Sequence, residues 1–353
     1  MAKVIQLDNK PWLRANNSRR FLIFLASVVP LPLVMLGAYS INLDMTMSFL
    51  TIFLPLQILT AAFVGFQAFG KRGIGDAILV VLTVFFSLFV LILLLSVLGS
   101  VLTEGFKTIS SQFIIQNNVY VSTTTSLDYG GVGHAILGSL MVVALTTLAA
   151  VPLGIAMAIY LTQSQSKIRD LVRTLTQALS GLPSVVSGLF ILTIIEATQI
   201  GRSGFTGALA LFPLMLPTVA RVSEEALKLV PVDLRYAALA LGAPNYRAFF
   251  QVILPAAKSG LITALLLGLA RVVGETAPLI LTVNANNGTN FNVFEGGLAT
   301  LPTYIYGYLA SGYQTSQARA WGAALILLIL VGILFGLARI LGRTKSLKSK
   351  AKK

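Results

Sequence analysis

Arg271 and Glu275 are the charged residues of this sequence that are best placed to handle an ion. They lie four positions apart in an otherwise apolar stretch, so a helix would put both on one face. A planar guanidinium can hold two oxygens of an anion at once, and a carboxylate one turn away can neutralise it when no anion is bound. Ionisable groups in apolar segments are costly and usually functional. The alternative is a structural ion pair that sets helix packing.

Arg221 and three serines are further candidates for a polar path. Arg221 ends another apolar stretch, where it either receives an anion or anchors the end of a helix. Ser180, Ser184 and Ser187 are spaced by four and three residues, which predicts one hydroxyl stripe along a helix. Such a stripe can line a path, although small residues also simply let two helices approach closely.

Residue content excludes several other kinds of chemistry. With no Cys and one His, the chain cannot hold an iron–sulfur cluster, a zinc–thiolate site or a multi-His metal site. Gly65–Lys71 has the spacing of a nucleotide-binding P-loop, but Arg72 stands where Ser or Thr should bind magnesium. We therefore predict no catalytic residue, no metal site and no nucleotide site in this chain. We expect the lone His134 to be a capping or surface residue and not a ligand.

The composition places these residues in a membrane. Hydrophobic residues make up 56% of the 353 positions, and charged residues only 11%. Soluble domains carry about 25% charged residues, and a soluble fold of this size could not cover its surface with fewer than half of that. The sequence therefore predicts an all-α, polytopic membrane protein.

Eight apolar stretches are long enough to cross a membrane as helices. They lie near residues 21–41, 47–69, 76–102, 134–161, 172–197, 205–222, 256–283 and 319–342. The two longest loops fall at about residues 103–133 and 284–318.

Lys and Arg indicate which side each loop faces, because cytoplasmic loops carry an excess of both. With both termini in the cytoplasm, 22 of the 26 basic residues fall on the cytoplasmic side. The net charge of +14 therefore reports topology and contact with lipid, and not nucleic-acid binding. We predict a multi-pass protein whose N-terminal segment 1–20 and basic tail 343–353 are both cytoplasmic.

The predicted cytoplasmic loop 223–255 is patterned as two short helices. Pro231 can begin the first helix and Gly242 is suited to end it, and Pro244 then restarts a second one. The first helix has an apolar stripe at helical spacing, made of Leu234, Ala237, Ala238 and Leu241. Exposed apolar faces on ordered helices imply either a cytoplasmic partner or a helix that lies on lipid. The residues alone leave both readings open.

The spacing within this loop is typical of a known motif. Tyr236-Ala237-Ala238, Gly242 and Val252-x-Leu254-Pro255 follow the pattern E-A-A, three residues, Gly, nine residues, I-x-L-P. This resembles the EAA loop of ABC-importer permeases, except that Tyr236 stands where the family has Glu, a carboxylate that often helps hold the loop. The resemblance implies a coupling helix that fits a groove of a separate ATPase. Its residues here would be Val232, Asp233, Leu234, Arg235, Tyr236, Ala237, Ala238 and Gly242.

Three further segments narrow the resemblance. They are Gly181–Phe190, Leu216–Pro231 and Ala270–Leu279, the last matching the pattern A-R-x-x-G-E-T-A-P-L. These segments resemble phosphate-importer permeases of the PstA type, and the similarity covers roughly residues 130–342. It implies a phosphate path, in which Glu275 would accept a hydrogen bond from protonated phosphate that sulfate cannot offer. The path residues would be Arg271, Glu275, Thr276, Arg221, Ser184 and Ser187.

The same resemblance implies the domain organisation. Such permeases usually have six helices, here residues 71–342. The two helices within residues 21–70 would be an addition to that domain.

The resemblance also implies partners and a location. A homologous second permease, two ATP-binding subunits and a phosphate-binding protein outside the cell would assemble with this chain in a prokaryotic inner membrane. ATP and magnesium would be bound by the ATPase, so the chain would be a transport subunit with no cofactor and not an enzyme. Three alternatives stay open: a permease of this class for sulfate, molybdate or phosphonate, an ATPase-independent secondary transporter, and a membrane sensor.

Overall fold

The computed structural model describes residues 49–342 and the single position Pro32. The first predicted span, apart from Pro32, lies outside these residues, as do the N-terminal segment and the basic tail. Residues 49–342 form helices, turns and loops and contain no β-strand. The predicted all-α fold class is therefore confirmed. The chain divides into two units, residues 1–99 and residues 100–353.

The first unit is built around a tight turn between two helices. Its described elements are a π-helical turn (Phe49–Phe53), α1 (Leu54–Phe69) and the first part of α2 (Lys71–Thr108). Gly70 makes the turn with φ of +67°, and a Cβ on Gly65 would lie 2.4 Å from the carbonyl oxygen of Gly73. The residues with P-loop spacing thus form a helix end and a close helix contact, whereas a P-loop links a strand to a helix.

The second unit contains the remaining helices. In chain order they are α3 (Ser111–Ile115), α4 (Gly133–Gln163), α5 (Ile168–Ser180), α6 (Ser184–Thr198), α7 (Gly204–Lys228), α8 (Val232–Ala240) and α9 (Asn245–Ala248). A π-helical turn (Phe249–Ile253) then leads to α10 (Leu254–Ala256), α11 (Lys258–Val273), α12 (Ala277–Thr282), α13 (Leu301–Ala310) and α14 (Gln314–Gly342).

Four of the described helices, α2, α4, α7 and α14, are long and apolar enough to cross a membrane. The number rises to six if two bent pairs each count as one span. The apolar helix within the second predicted span, Thr51–Gln67, is shorter. The chain is therefore polytopic, while the count of eight spans stays a prediction.

Two of the predicted spans are broken, so the prediction of continuous helices there is wrong. In the stretch 172–197, α5 and α6 meet at 102°. Pro183 precedes α6 in an extended conformation, and proline removes a donor and disfavours helix in the residue before it. In the stretch 256–283, α11 stops at Val273 and the chain restarts as α12, with Pro278 in its first turn.

One predicted loop holds a helix that hydrophobic periodicity did not indicate. The stretch 284–318 contains α13, which begins with a capping box: Thr300 and Thr303 each bond the other's backbone N–H through their hydroxyls. Pro302 lies in the first turn, where its missing N–H costs no hydrogen bond.

Helices α4, α7 and α11 share the largest buried core. Its members include Val142, Leu211, Met215, Val219, Ala264, Leu269 and Val272. Gly268 of α11 packs against Val219, and Gly260, two turns earlier, packs against Ala226. The two helices are therefore antiparallel, and this brings the end of α11 beside the middle of α7.

Candidate functional site

The end of α11 carries the predicted ion pair. Arg271 lies in the last turn, and its Nη1 is 3.4 Å from Oε1 of Glu275. The pair was expected on one continuous helical face, but Gly274 ends the helix and the chain turns before Glu275. The backbone N–H of Glu275 donates to the carbonyl of Val272, which folds the carboxylate back toward the guanidinium. The closeness of Arg271 and Glu275 was predicted correctly, but the prediction that a continuous helix would bring them together was wrong.

Arg271 and Glu275 lie in an open groove of about 630 Å³. The groove is lined by Thr218, Leu267, Ala270, Arg271, Gly274 and Glu275. The Arg271 side chain is 45% exposed and that of Glu275 is 15% exposed. Within residues 49–342, Arg271 makes no polar contact other than this ion pair. Most of the guanidinium donors are therefore free to bind an anion in the groove.

Thr276 follows the pair at the residue before α12. It is half-buried, and its Oγ1 lies 3.5 Å from the carbonyl oxygen of Gly274. This places its hydroxyl in the turn that links the two helices. Its predicted contribution to a substrate path stays a prediction.

Arg221 is not at the end of a helix, because α7 continues to Lys228. Its Nε is 3.4 Å from Oε1 of Glu225, and both side chains are exposed. Arg221 also lines a pocket of about 390 Å³ between α5 and α7. The idea that it anchors a helix end is therefore wrong, while its role as a receiver of anions stays a prediction.

Glu224 is the centre of an ion cluster that the sequence analysis missed. Its carboxylate is nearly buried and lies 2.7 Å from Nη2 of Arg173 and 2.6 Å from Nζ of Lys228. Lys228 is one helical turn from Glu224, so this pair could be recognised from its spacing in the sequence. Arg173 belongs to α5, so no local spacing could reveal it. The cluster ties α5 to α7 next to the loop that follows.

The three serines do not form one stripe, because the break between α5 and α6 separates them. Ser180 ends α5, and its hydroxyl donates to the carbonyl of Gln177 at 2.7 Å. Ser187 is buried in α6 and donates to the carbonyl of Ala210 in α7 at 2.6 Å. Ser184 is half-buried at the first position of α6. The hydroxyl of Ser187 thus serves helix packing, the alternative reading of the stripe.

The loop after α7 has the two predicted helical parts. Pro231 precedes α8, and Gly242 follows it with φ of +82°. The N–H of Gly242 donates to the carbonyl of Leu239, and that of Ala243 donates to the carbonyl of Ala238. These two bonds make a Schellman motif, which needs a left-handed residue after the helix.

Helix α8 has no buried residue. Val232, Leu234, Tyr236 and Leu241 expose 62%, 42%, 64% and 89% of their surface. The second part of the loop is anchored instead, because Phe249 and Ile253 are buried against Ala158 and Leu227. The loop therefore exposes the apolar side chains of α8, while its second part is buried against α4 and α7.

A fully buried arginine organises the region of loop 109–132. Arg319 of α14 has no exposed surface, and its Nη2 donates to the carbonyls of Thr125, Ser126 and Tyr129 at 3.1, 2.7 and 3.0 Å. The sequence alone predicted no role for Arg319. Its three acceptors lie about 190 positions earlier in the chain, so no local pattern identifies them.

The same region buries Asn118 and His134. Asn118 Nδ2 donates to the hydroxyls of Tyr304 and Tyr308 at 2.8 and 2.7 Å. Burial raises the pKa of Tyr304, so its hydroxyl stays protonated. His134 packs edge-on against Tyr304 and is only 3% exposed, so the expectation of a capping or surface residue is wrong.

Several long apolar helices define a polytopic membrane protein. Residues 150–346 match the family described as binding-protein-dependent transport system inner membrane component, and the chain belongs to this family. It is an ABC-importer permease, which works with ATPase and substrate-binding partners, and a multi-pass inner-membrane protein.

Two relatives illustrate the similarity. Phosphate transport system permease protein PstA 1 of Mycobacterium tuberculosis (strain CDC 1551 / Oshkosh) is 42% identical over 204 residues, covering 57% of this chain and 67% of that protein. Phosphate transport system permease protein PstA of Pasteurella multocida (strain Pm70) is 35% identical over 267 residues, covering 75% and 92%. Among solved structures, an inward-facing MetNI methionine ABC transporter gives 22% identity and a TM-score of 0.44, covering 60% of this chain and 91% of that one.

Proposed function

We propose that this chain is the permease subunit of an ATP-driven inorganic phosphate importer and forms half of its translocation path. The observation that carries the proposal is the half-exposed guanidinium of Arg271, paired to Glu275 at 3.4 Å in an open groove. The names of the two relatives support phosphate as the substrate.

The chemistry of the groove suits a phosphate ion. An anion that leaves water loses hydration that fixed donors must replace. Arg271 supplies a permanent positive charge and a planar set of donors that can hold two phosphate oxygens. Glu275 neutralises Arg271 between transport events and accepts a hydrogen bond from protonated phosphate. Sulfate carries no proton at neutral pH and cannot donate that bond.

We assign coupling to α8 and the Schellman turn that ends it. The exposed apolar residues of this helix would dock in a groove of a partner ATPase, which binds ATP and magnesium. Two such subunits, a homologous second permease and a phosphate-binding protein would complete the transporter. This chain would contribute the path and the docking helix, and no catalysis or cofactor.

Substitutions of the ion pair test the proposal by uptake of radiolabelled phosphate and by protein level in the membrane. Arg271→Gln should lower uptake by about 100-fold, because losing charge-assisted hydrogen bonds worth about 3 kcal/mol corresponds to that factor. Arg271→Lys keeps the charge but loses the two-point geometry, so its uptake should be intermediate. Lys107→Gln breaks an exposed ion pair with Glu104 and should leave uptake unchanged.

A double variant separates transport from structure. If the pair binds substrate, the double variant Arg271→Gln/Glu275→Gln should reach the wild-type protein level in the membrane but should stay inactive in uptake. Restored uptake in that variant would show that the pair is only structural. Equal inhibition of uptake by unlabelled sulfate and phosphate would contradict the choice of phosphate and leave the permease assignment standing.

A further inference from the structure

Helix α5 turns its apolar face away from the protein. Ile168, Leu171 and Leu175 are spaced by three and four residues, so they lie on one face. They expose 59%, 58% and 54% of their surface. The helix is strongly amphipathic, so this exposed stripe is a continuous apolar surface.

The opposite face of α5 is polar and packs on α7. Arg173 makes the 2.7 Å ion pair with Glu224, and Thr176 is buried. Gln177 and Ser180 line the pocket between the two helices. An amphipathic helix on a water-soluble protein does the reverse, with its apolar face toward the core. The medium or partner outside α5 must therefore be apolar at this face.

The angle between α5 and α6 decides which of them follows the membrane normal. The two axes differ by 102°, so only one can run across the bilayer. Helix α6 has no charged residue before Glu196, near its end, whereas α5 carries Arg169, Asp170 and Arg173 within 13 residues. Three charges in the hydrocarbon core are costly. Helix α6 is thus the segment that enters the hydrocarbon core, and α5 runs along the surface.

Basic residues flank the apolar face of α5. Lys167 precedes the helix and is exposed. Arg169 lies beside Ile168 with its side chain 36% exposed, and its guanidinium also donates to the carbonyl of Ser164 and lies 3.9 Å from Oδ1 of Asp170. Long basic side chains at this position reach headgroups while an apolar face enters the acyl boundary. Charge complementarity therefore favours anionic lipid over an apolar protein surface.

We propose that α5 is an interfacial helix that lies in the anionic membrane surface, on the side of the bilayer that carries the loop after α7. Its apolar face enters the acyl boundary, and Lys167 and Arg169 contact lipid headgroups. Glu224 joins α5 to the end of α7, and α8 begins shortly after α7. An α5 that is embedded in the lipid surface therefore holds the start of α8 at a fixed depth. This inference requires a membrane protein but not phosphate as its substrate.

Single spin labels test the proposal, since the native chain has no Cys. The full-length chain, with any subunits that copurify, carries Leu171→Cys or Leu175→Cys in vesicles of phosphatidylethanolamine and phosphatidylglycerol. Asp170→Cys is the matched control, because its side chain is 84% exposed on the polar side of the same turn. The accessibility of each label is measured by power saturation, once with oxygen, which partitions into lipid, and once with a water-soluble nickel chelate.

Labels at positions 171 and 175 should be more accessible to oxygen than to the nickel chelate. The label at position 170 should be more accessible to the nickel chelate. Replacing phosphatidylglycerol by phosphatidylcholine should move the labels at 171 and 175 toward water. Low access of both reagents at 171 and 175 would show that a protein partner covers the face and would overturn the proposal. Dominance of the nickel chelate there would overturn it as well, and unchanged depth without anionic lipid would overturn the headgroup contact. None of these readouts depends on transport.

Discussion

Arg319 organises a region of the protein away from the groove that holds Arg271 and Glu275. A buried guanidinium is stable only when hydrogen-bond acceptors replace its hydration, and three backbone carbonyls do so here. Nη1 is also buried but has no hydrogen-bond partner among residues 49–342. The residue therefore contributes mainly by holding loop 109–132 against the start of α14.

We expect Arg319→Lys to destabilise the protein, because the shorter Lys side chain ends before the position of Nη2, the nitrogen that contacts all three carbonyls. The loss should be about 2 kcal/mol, the worth of a hydrogen bond to a charged group. The midpoint of thermal unfolding in detergent measures it. Arg202→Lys is the control, since Arg202 is exposed and should tolerate the change. Equal midpoints for the two variants would contradict the role of Arg319.

Glu224 and Glu225 form a matched pair of neighbours with opposite surroundings. Glu224 is nearly buried between two cations, while Glu225 makes one exposed pair with Arg221. Glu224→Gln should lower the unfolding midpoint clearly, because it leaves Arg173 and Lys228 without their counter-charge. Glu225→Gln should cost less than about 1 kcal/mol. A larger effect at Glu225 would show that the cluster does not hold α5 to α7.

At the scale of elements, the turn after α8 offers a clean test of coupling. Gly242 has φ of +82°, and nothing lies within 4 Å of a Cβ placed there. Gly242→Ala therefore adds backbone strain of about 1–2 kcal/mol without a steric clash. Phosphate uptake and substrate-stimulated ATP hydrolysis should fall together while the protein level is kept.

Gly312 provides the control for this prediction. It has φ of +76° and equally open surroundings, but it lies between α13 and α14. Gly312→Ala should carry the same strain and keep coupling intact. If both variants behave alike, the strain acts on folding in general and α8 has no special part in coupling.

At the scale of the whole molecule, topology can be tested on side chains that are almost fully exposed. Tyr120 is 96% exposed in loop 109–132, and Leu241 is 89% exposed after α8. The Lys and Arg distribution predicts that they lie on opposite sides of the membrane. In intact cells, an impermeant maleimide should label Tyr120→Cys and spare Leu241→Cys until the membrane is opened. Labelling of Leu241→Cys before that step would reverse the predicted orientation.

Fold class and much of the candidate site were predictable from the sequence because they depend on local properties. Membrane insertion follows from composition, and the helix that ends at Gly242 follows from the conformational needs of its capping residues. Arg271 and Glu275 are four residues apart, so the chain itself keeps them close whether or not the helix continues.

The tertiary structure alone decided the contacts between helices that are distant in the chain. Arg173 with Glu224, and Arg319 with its three carbonyls, join segments 51 to 194 positions apart. The helix breaks at Pro183 and Gly274 were visible as residue types, but membrane helices tolerate both, so their presence did not settle the path of the chain. Which face of α5 turns outward depends on where α7 packs. Helical periodicity shows that a face exists, and only the packing of the other helices shows what it meets.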